Sequence, residues 1–282
     1  MLFEIVHSKR YRYSDAVFIE PQTIRLRPRD DWRQNCVDYR LDLQPAAAGL
    51  ARNLDEFGNL CEHAWFEGLS DQFALCARST VRTRDCNPFD FLLEPWAADV
   101  PPDYPPELAA ALAPYLGGGG GGGDCGPAVA ALAADCRDQA GGSLLALPLA
   151  LAEGVYQAVD YQHRPDGEPL AAAETLRLGR GACRDVAVVF IACARALGLA
   201  ARFVTGYHDP EEREPELHAW AEVFLPGGGW RGYDPSNGLA VSARHITLAA
   251  APAPPRAATL SGSTRRSASQ AFESRLEIVH RG

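Results

Sequence analysis

Lysine is almost missing from this chain of 282 residues: Lys9 is the only one, so arginine carries nearly all the positive charge. That charge is outweighed, with 27 basic against 36 acidic residues, a net charge of −9 and a pI near 5.3. Such a balance argues against a nucleic-acid partner and against an anionic membrane surface. Long apolar runs are missing too. LLALPLALA (144–152) and VAVVFIACA (186–194) reach nine residues each, whereas a bilayer-spanning helix needs about 20. The start, MLFEIVHSKRYRY, carries no secretory pattern, because Glu4 interrupts its apolar stretch. The expectation is a cytoplasmic protein with no membrane partner, whose eight cysteines (36, 61, 76, 86, 125, 136, 183, 193) are mostly reduced thiols. No CxxC pair occurs, and the metal-like spacing Cys61-Glu62-His63 has no second ligand pair. No EF-hand loop is visible either, so no metal or other cofactor is expected. Seven consecutive glycines, 117–123, are not followed by Gly-Lys-Ser/Thr. They predict a flexible loop and exclude a phosphate-binding one.

What is present is globular. Apolar residues make up 47% and charged residues 22%, and the length suffices for one large domain or two ordinary ones. Residues 1–86 read as an N-terminal antiparallel β-sandwich: FEIVH, AVFIE, TIRLR, VDYRLDL and FALCARSTVRT alternate partially, separated by turn signals such as PRDD, QPAAAG and EFGN. Residues 87–126 form a linker with a short helix after Pro105-Pro106 and the glycine run. Residues 127–282 make a second unit. It begins with helical turns broken at Gly141-Gly142 and continues with a buried helix over 182–197 that stops at Gly198. Strands ARFVTGY, HAWAEVFL and WRGYDP follow, the last two joined by PGGG. FESRLEIVH (272–280) is a closing strand, and its LEIVH echoes FEIVH near the start. The order predicts an α+β fold rather than a parallel sheet.

The chemistry gathers in GRGACRDVAVVF (179–190). Gly179-Arg180-Gly181 lets backbone approach a ligand closely. Cys183 then falls at a helix N-terminus, where the dipole favours a thiolate. Cys193, on the apolar part of the same helix, reads as core. A thiolate nucleophile needs a proton shuttle. His218 opens the strand HAWAEVFL and shares a face with Trp220, Glu222 and Phe224. Asp234 ends the hairpin partner, sixteen residues on, where a carboxylate can fix the imidazole tautomer. Taken singly, each has an ordinary explanation: a buried thiol, a surface histidine, an Asp-Pro turn. Together they form a nucleophile, a base and an orienting acid.

These blocks, GRGACRDVAVVFIACARALGLAARFVTGY and LHAWAEVFLPGGGWRGYDPSNG, continued through VSARHITLA, closely resemble the bacterial branch of the transglutaminase-like, papain-like-fold superfamily. Its Cys, His and Asp fall on Cys183, His218 and Asp234. The N-terminal region resembles the β-rich module that precedes that core, through YRYSDAV, PQTIRLRPR and LDEFGN. The resemblance implies a papain-like/transglutaminase core and acyl transfer through a thioester. The donor would be a peptide or protein amide. With water as acceptor the enzyme is a cysteine protease or amidase, which this branch favours. With an amine it is a cross-linking transglutaminase. The backbone N–H of Cys183 is one candidate oxyanion donor, and Tyr161 or Gln162 the other. Trp220 is a candidate substrate contact. A non-catalytic peptide-binding module and a metal site built from Cys183, His218 and Asp234 are the competing readings. Nothing in the sequence sets the oligomeric state.

Overall fold

The computed structural model describes residues 1–117, 126–164, 167–210, 214–265 and 269–281. Residues 118–123 of the glycine run, where a flexible loop is expected, lie outside the described residues, as does Cys125.

The N-terminal strands are β1 (Leu2–Ile19), β2 (Gln22–Ile24), β3 (Gln34–Gln44), β4 (Gly49–Leu54), β5 (Leu60–Trp65) and β6 (Ser70–Thr83). FEIVH and AVFIE are not separate strands. They are the two ends of β1, whose ladder with β6 runs through the polar stretch between them and shifts register between Arg12 and Val17. Backbone pairing needs no apolar side chain, so the polar middle hides the strand from a hydrophobicity reading. β4 and β5 escape it for the same reason.

Helices and strands then alternate: α1 (Pro106–Leu112), α2 (Pro127–Gln139), α3 (Leu147–Ala158), β7 (Asp160–Tyr161), α4 (Ala172–Leu178), β8 (Arg180–Gly181) and α5 (Cys183–Ala196). α5 is the buried helix of the sequence reading. Val186, Ala187, Val189, Phe190, Cys193 and Ala194 are all sealed from solvent, and Gly198 follows at φ +78°. The core sheet comes next, built from β9 (Ala201–His208), β10 (Glu216–Leu225), β11 (Gly229–Asp234), β12 (Leu239–Ala240) and β13 (His245–Ala251). It is antiparallel, in the order β12-β11-β10-β9-β13. α5 packs on one face, sharing a core with Phe203, Ala219, Ala221 and Val223.

The last strands, β14 (Leu260–Ser261), β15 (Thr264–Arg265) and β16 (Gln270–His280), correct the expected division of the chain. β16 was expected in the second unit, within residues 127–282. It lies instead in the N-terminal sheet, paired along eleven residues with β1. The echo of FEIVH and LEIVH now has a structural counterpart. The two segments are antiparallel neighbours, with Ile5 opposite Ile278. One sandwich layer is therefore β15 and β16 on β1, then β6 and β3, and the other is β14-β2-β5-β4. Phe3, Ile5, Phe73 and Leu75 of the first meet Ile24, Ala64 and Phe66 around the second. Strand β1 thus has a partner on both edges, which leaves no open ladder in the middle of the layer.

Two amide side chains join the sandwich to the core. Gln34 donates to the Thr247 carbonyl (2.9 Å) and accepts from its N–H (2.7 Å). Asn59 does the same at Ala250, at 2.9 and 2.8 Å. β13 is the edge of the core sheet, and these amides complete its unpaired backbone. The apolar core of the sandwich also runs on into Tyr207, Ile246 and Leu248 of the core sheet. None of the seven described cysteines forms a disulfide.

Asn59 and Ala250 are both fully buried. Replacing Asn59→Ala strands a donor and an acceptor where water does not reach. The expected loss is roughly 2–4 kcal/mol of unfolding free energy, measured by chemical denaturation.

Candidate active site

Cys183 is the first residue of α5, 7% exposed. The turn that delivers it is built around Asp185, fully buried in the first helical turn. One carboxylate oxygen accepts the Ala182 N–H (2.8 Å). The other accepts the Leu170 N–H (2.8 Å) and pairs with Arg164 (2.7 Å). The negative group also suits the positive end of the helix. The glycines before it serve packing more than ligand approach. Gly179 ends α4 at φ +62°. At Gly181 a Cβ would meet the Asp185 Cβ at 2.9 Å and Thr175 Cγ2 at 3.1 Å.

β10 and β11 supply the next two residues. His218 Nε2 lies 2.9 Å from Asp234 Oδ2, both side chains almost wholly buried. Asp234 collects three more donors: His245 Nε2 (3.1 Å), the Ser236 N–H (2.9 Å) and Asn237 Nδ2 (2.7 Å). On the far side of the ring, His218 Nδ1 lies 3.0 Å from Glu216 Oε1, a charge contact without the geometry of a hydrogen bond. Glu216 in turn accepts from the Tyr161 hydroxyl at 3.0 Å. Carboxylates therefore lie near both ring nitrogens, with the hydrogen bond formed on the Asp234 side. Burial alone would drive the His218 pKa down. The Asp234 charge and hydrogen bond, helped by Cys183 and Glu216, hold it well above the ordinary histidine value. Burial pushes the Asp234 carboxyl up, yet its histidine partners keep it well below the usual range. Glu216 is likewise held low, against burial, by His218 and Tyr161. His245 is lowered by burial. His208 is lowered to about 3 by burial and by the neighbouring His245 and His218. His218 is thus driven toward its charged form, and His208 and His245 toward their neutral forms.

The donor atoms of His208, His218, Asp234 and His245 lie within 4.8 Å of one another, which raises the question of a metal. The arrangement does not suit one. The His208 and His245 rings are stacked, with centroids 4.2 Å apart and planes at 17°. A ligated ion sits in the plane of each imidazole, so near-parallel stacked rings cannot share it. Asp234 Oδ2 is also already committed to two imidazoles. Cys183, part of the metal set weighed from sequence, is not in this cluster.

Of the other expected residues, Tyr161 reaches the site. Burial, Cys183 and Glu216 all raise its pKa, and its proton is given to Glu216. Gln162 does not reach it in the expected role. Its backbone N–H is spent on the Gly181 carbonyl (2.8 Å), in the short parallel pairing of β7 and β8, and the residue is exposed. Trp220 as a substrate contact is overturned. It is fully buried on the sheet face turned away from α5, in an apolar cluster with Val204, Val241 and Ala250. A Cβ on Gly206 would strike its ring at 2.3 Å, so that glycine makes the room. Glu216 and His245 went unassigned in the sequence. The period-two rule puts Glu216 on the face of His218, two residues earlier, and that was the available signal. His245 sits inside VSARHITLA, and only folding brings it to Asp234.

Cys183 and His218 both open onto one cleft of about 710 Å³. Its walls come from both units: Phe203 and Ala219 from the core, Tyr11, Tyr13 and Phe73 from the sandwich, and residues 258–264 from the returning chain.

Comparisons with known proteins agree with this architecture. Residues 122–235 match the transglutaminase-like superfamily, and residues 3–82 match the bacterial transglutaminase-like N-terminal region. An uncharacterised protein of Mycobacterium tuberculosis is 30% identical over 268 residues, covering 87% of this chain and 82% of the relative. One from Mycobacterium leprae is 23% identical over 269 residues, covering 86% of each chain. A solved structure from Cytophaga hutchinsonii, put forward as a cysteine protease, superposes with a TM-score of 0.72 at 21% identity. That superposition covers 99% of this chain and 90% of that one, and it shows a shared fold. The chain belongs to the bacterial transglutaminase-like family, with the family's N-terminal β-module in front of its core.

Proposed function

We propose that this chain is a cysteine-dependent acyl-transfer enzyme that cleaves peptide or amide bonds through a Cys183 thioester, with water as the final acceptor. Membership of the transglutaminase-like family supports a cysteine-dependent enzyme. The observation that carries the finer reading is His218, hydrogen-bonded to Asp234 and close to Glu216, on the same cleft as Cys183.

In this reading the Cys183 thiolate adds to the carbonyl carbon. Electrons move onto the carbonyl oxygen, which the backbone N–H of Cys183 stabilises; at the first turn of α5 that N–H has no acceptor within the helix. The tetrahedral species collapses as His218 gives its proton to the departing amine. The resulting neutral imidazole then takes a proton from water, which attacks the thioester; the second tetrahedral species breaks its C–S bond, releasing the carboxylic acid and the Cys183 thiolate beside the protonated His218. Asp234 keeps the ring oriented throughout and balances its charge. Tyr161 can serve as a second oxyanion donor only by leaving Glu216.

Cys183→Ala and His218→Ala are expected to abolish turnover of a peptide library, with the circular-dichroism spectrum unchanged. Iodoacetamide at neutral pH should alkylate Cys183 ahead of the seven other thiols, read by peptide mass mapping. Full turnover by Cys183→Ala, or uniform slow labelling, rules the mechanism out. Running the library with and without added amine reads the acceptor: product that stays hydrolytic in the presence of amine supports water.

Asp234→Asn keeps the shape but not the charge, and is expected to lower kcat by about 10²–10⁴-fold.

The raised His218 pKa sets the alkaline limit of activity. The cation is present below that pKa and is lost as pH rises through it. Glu216→Gln removes one of the two anions holding the proton. The alkaline limb of the kcat/KM profile is therefore expected to move to lower pH, while the size and shape of the side chain are kept. A profile that does not move sinks this role for Glu216.

A further inference from the structure

A second pocket lies on the side of the core sheet that carries Trp220 and Glu222. It has a volume of about 390 Å³, and four arginines line it. Arg29 and Arg33 come from the loop between β2 and β3, Arg202 from β9 and Arg231 from β11. Two carboxylates line it with them, Asp31 and Glu222, while Asp55 acts on Arg29 and Asp90 on Arg231 from outside the lining. Glu222 is already engaged by Arg202 at 2.6 Å. Asp31 accepts the backbone N–H groups of Arg33 (2.7 Å) and Gln34 (3.0 Å).

The guanidiniums are held in place by aromatic faces. Arg202 lies over the Trp230 ring at 4.2 Å. Arg231 is sandwiched between Trp32 and Phe91, at 4.7 and 4.6 Å. Yet their hydrogen-bonding capacity is underused. Nη1 of Arg231 is buried and has no partner. Arg29 reaches Asn59 Oδ1 only at 3.4 Å. Burial opposes the charge of Arg29, Arg33 and Arg231, and repulsion from Arg202 adds to it at Arg29. In a chain with a net charge of −9, an uncompensated group of arginines is kept at a cost.

We propose that this pocket is a binding site for a dianionic phosphoryl group, either inorganic phosphate or a phosphate monoester. Among the residues lining the pocket, four guanidiniums outnumber two carboxylates, which favours an anionic ligand such as a phosphoryl dianion. Planar guanidinium forks match its oxygens. The volume leaves room for an ester substituent beyond the phosphoryl oxygens. This site does not depend on the acyl-transfer reading, and its test needs no turnover.

The experiment is a calorimetric titration of the full chain with inorganic phosphate and, separately, with glycerol 3-phosphate, at an ionic strength fixed with chloride. Unfolding midpoints are measured in parallel. Saturable binding to one site is expected, with a saturable rise in midpoint. Arg29→Gln and Arg231→Gln should each weaken it by about tenfold or more, the loss of one charge-assisted contact. In chloride alone, Arg29→Gln should leave the midpoint unchanged or raise it, because it relieves repulsion. If the cluster merely clamps the sandwich to the core, Arg29→Gln lowers that midpoint and neither probe binds saturably; that result overturns the proposal. Saturable binding undiminished in both variants overturns it as well. Tighter binding of glycerol 3-phosphate assigns an esterified ligand, tighter binding of inorganic phosphate assigns the free ion, and either supports the site.

Discussion

A carboxylate sealed from water is costly unless its oxygens are fully satisfied, and Asp234 meets that condition with four donors. The rest of the site follows from it. As an anion inside the protein, it draws a proton onto His218 and fixes the orientation of that ring. It also takes the Nε2 proton of His245, which then stacks on His208. Its neighbours are thereby pushed apart: His218 toward the charged form, His208 and His245 toward the neutral one. Glu216 extends the arrangement to the other side of His218, and Tyr161 secures Glu216. Asp185 does comparable work at the other half of the site. It ties the start of α5 to the preceding loop, so the position of Cys183 is set by a buried carboxylate as well.

The N-terminal sandwich is part of the site's architecture rather than an appendage. Tyr11, Tyr13 and Phe73 form one wall of the cleft, and Gln34 and Asn59 repair the open edge of the core sheet. Strand β16, which follows the core in sequence, returns to pair with β1 in the sandwich. The arginine pocket lies across the same junction, between the loop after β2 and strands β9 to β11. Both clefts thus exist only when the two units are docked.

Much of this was legible from local pattern. The apolar run after Cys183 and the stop at Gly198 marked α5, and the PGGG turn marked the hairpin that brings Asp234 back to His218. Where the pattern failed, the cause was physical. The polar middle of β1 hid a single long strand, because ladders are held by backbone groups. Trp220 looked available because alternation put it on the face of His218, but that face is covered by residues distant in sequence. Gln162 looked available as a donor until its N–H was found paired with Gly181.

The sequence alone marked α5, the hairpin of β10 and β11, the order of sandwich before core, and the three residues to which the family resemblance points, because helix termini, turns and alternation are encoded by neighbours along the chain. The tertiary structure alone decided that Glu216 and His245 join His218 and Asp234, that β16 belongs with β1, and that four arginines face one another. Those facts depend on charges and hydrogen-bonding groups meeting across tens to hundreds of residues. Whether a buried group is costly or useful is set by what surrounds it in space, which no local pattern records.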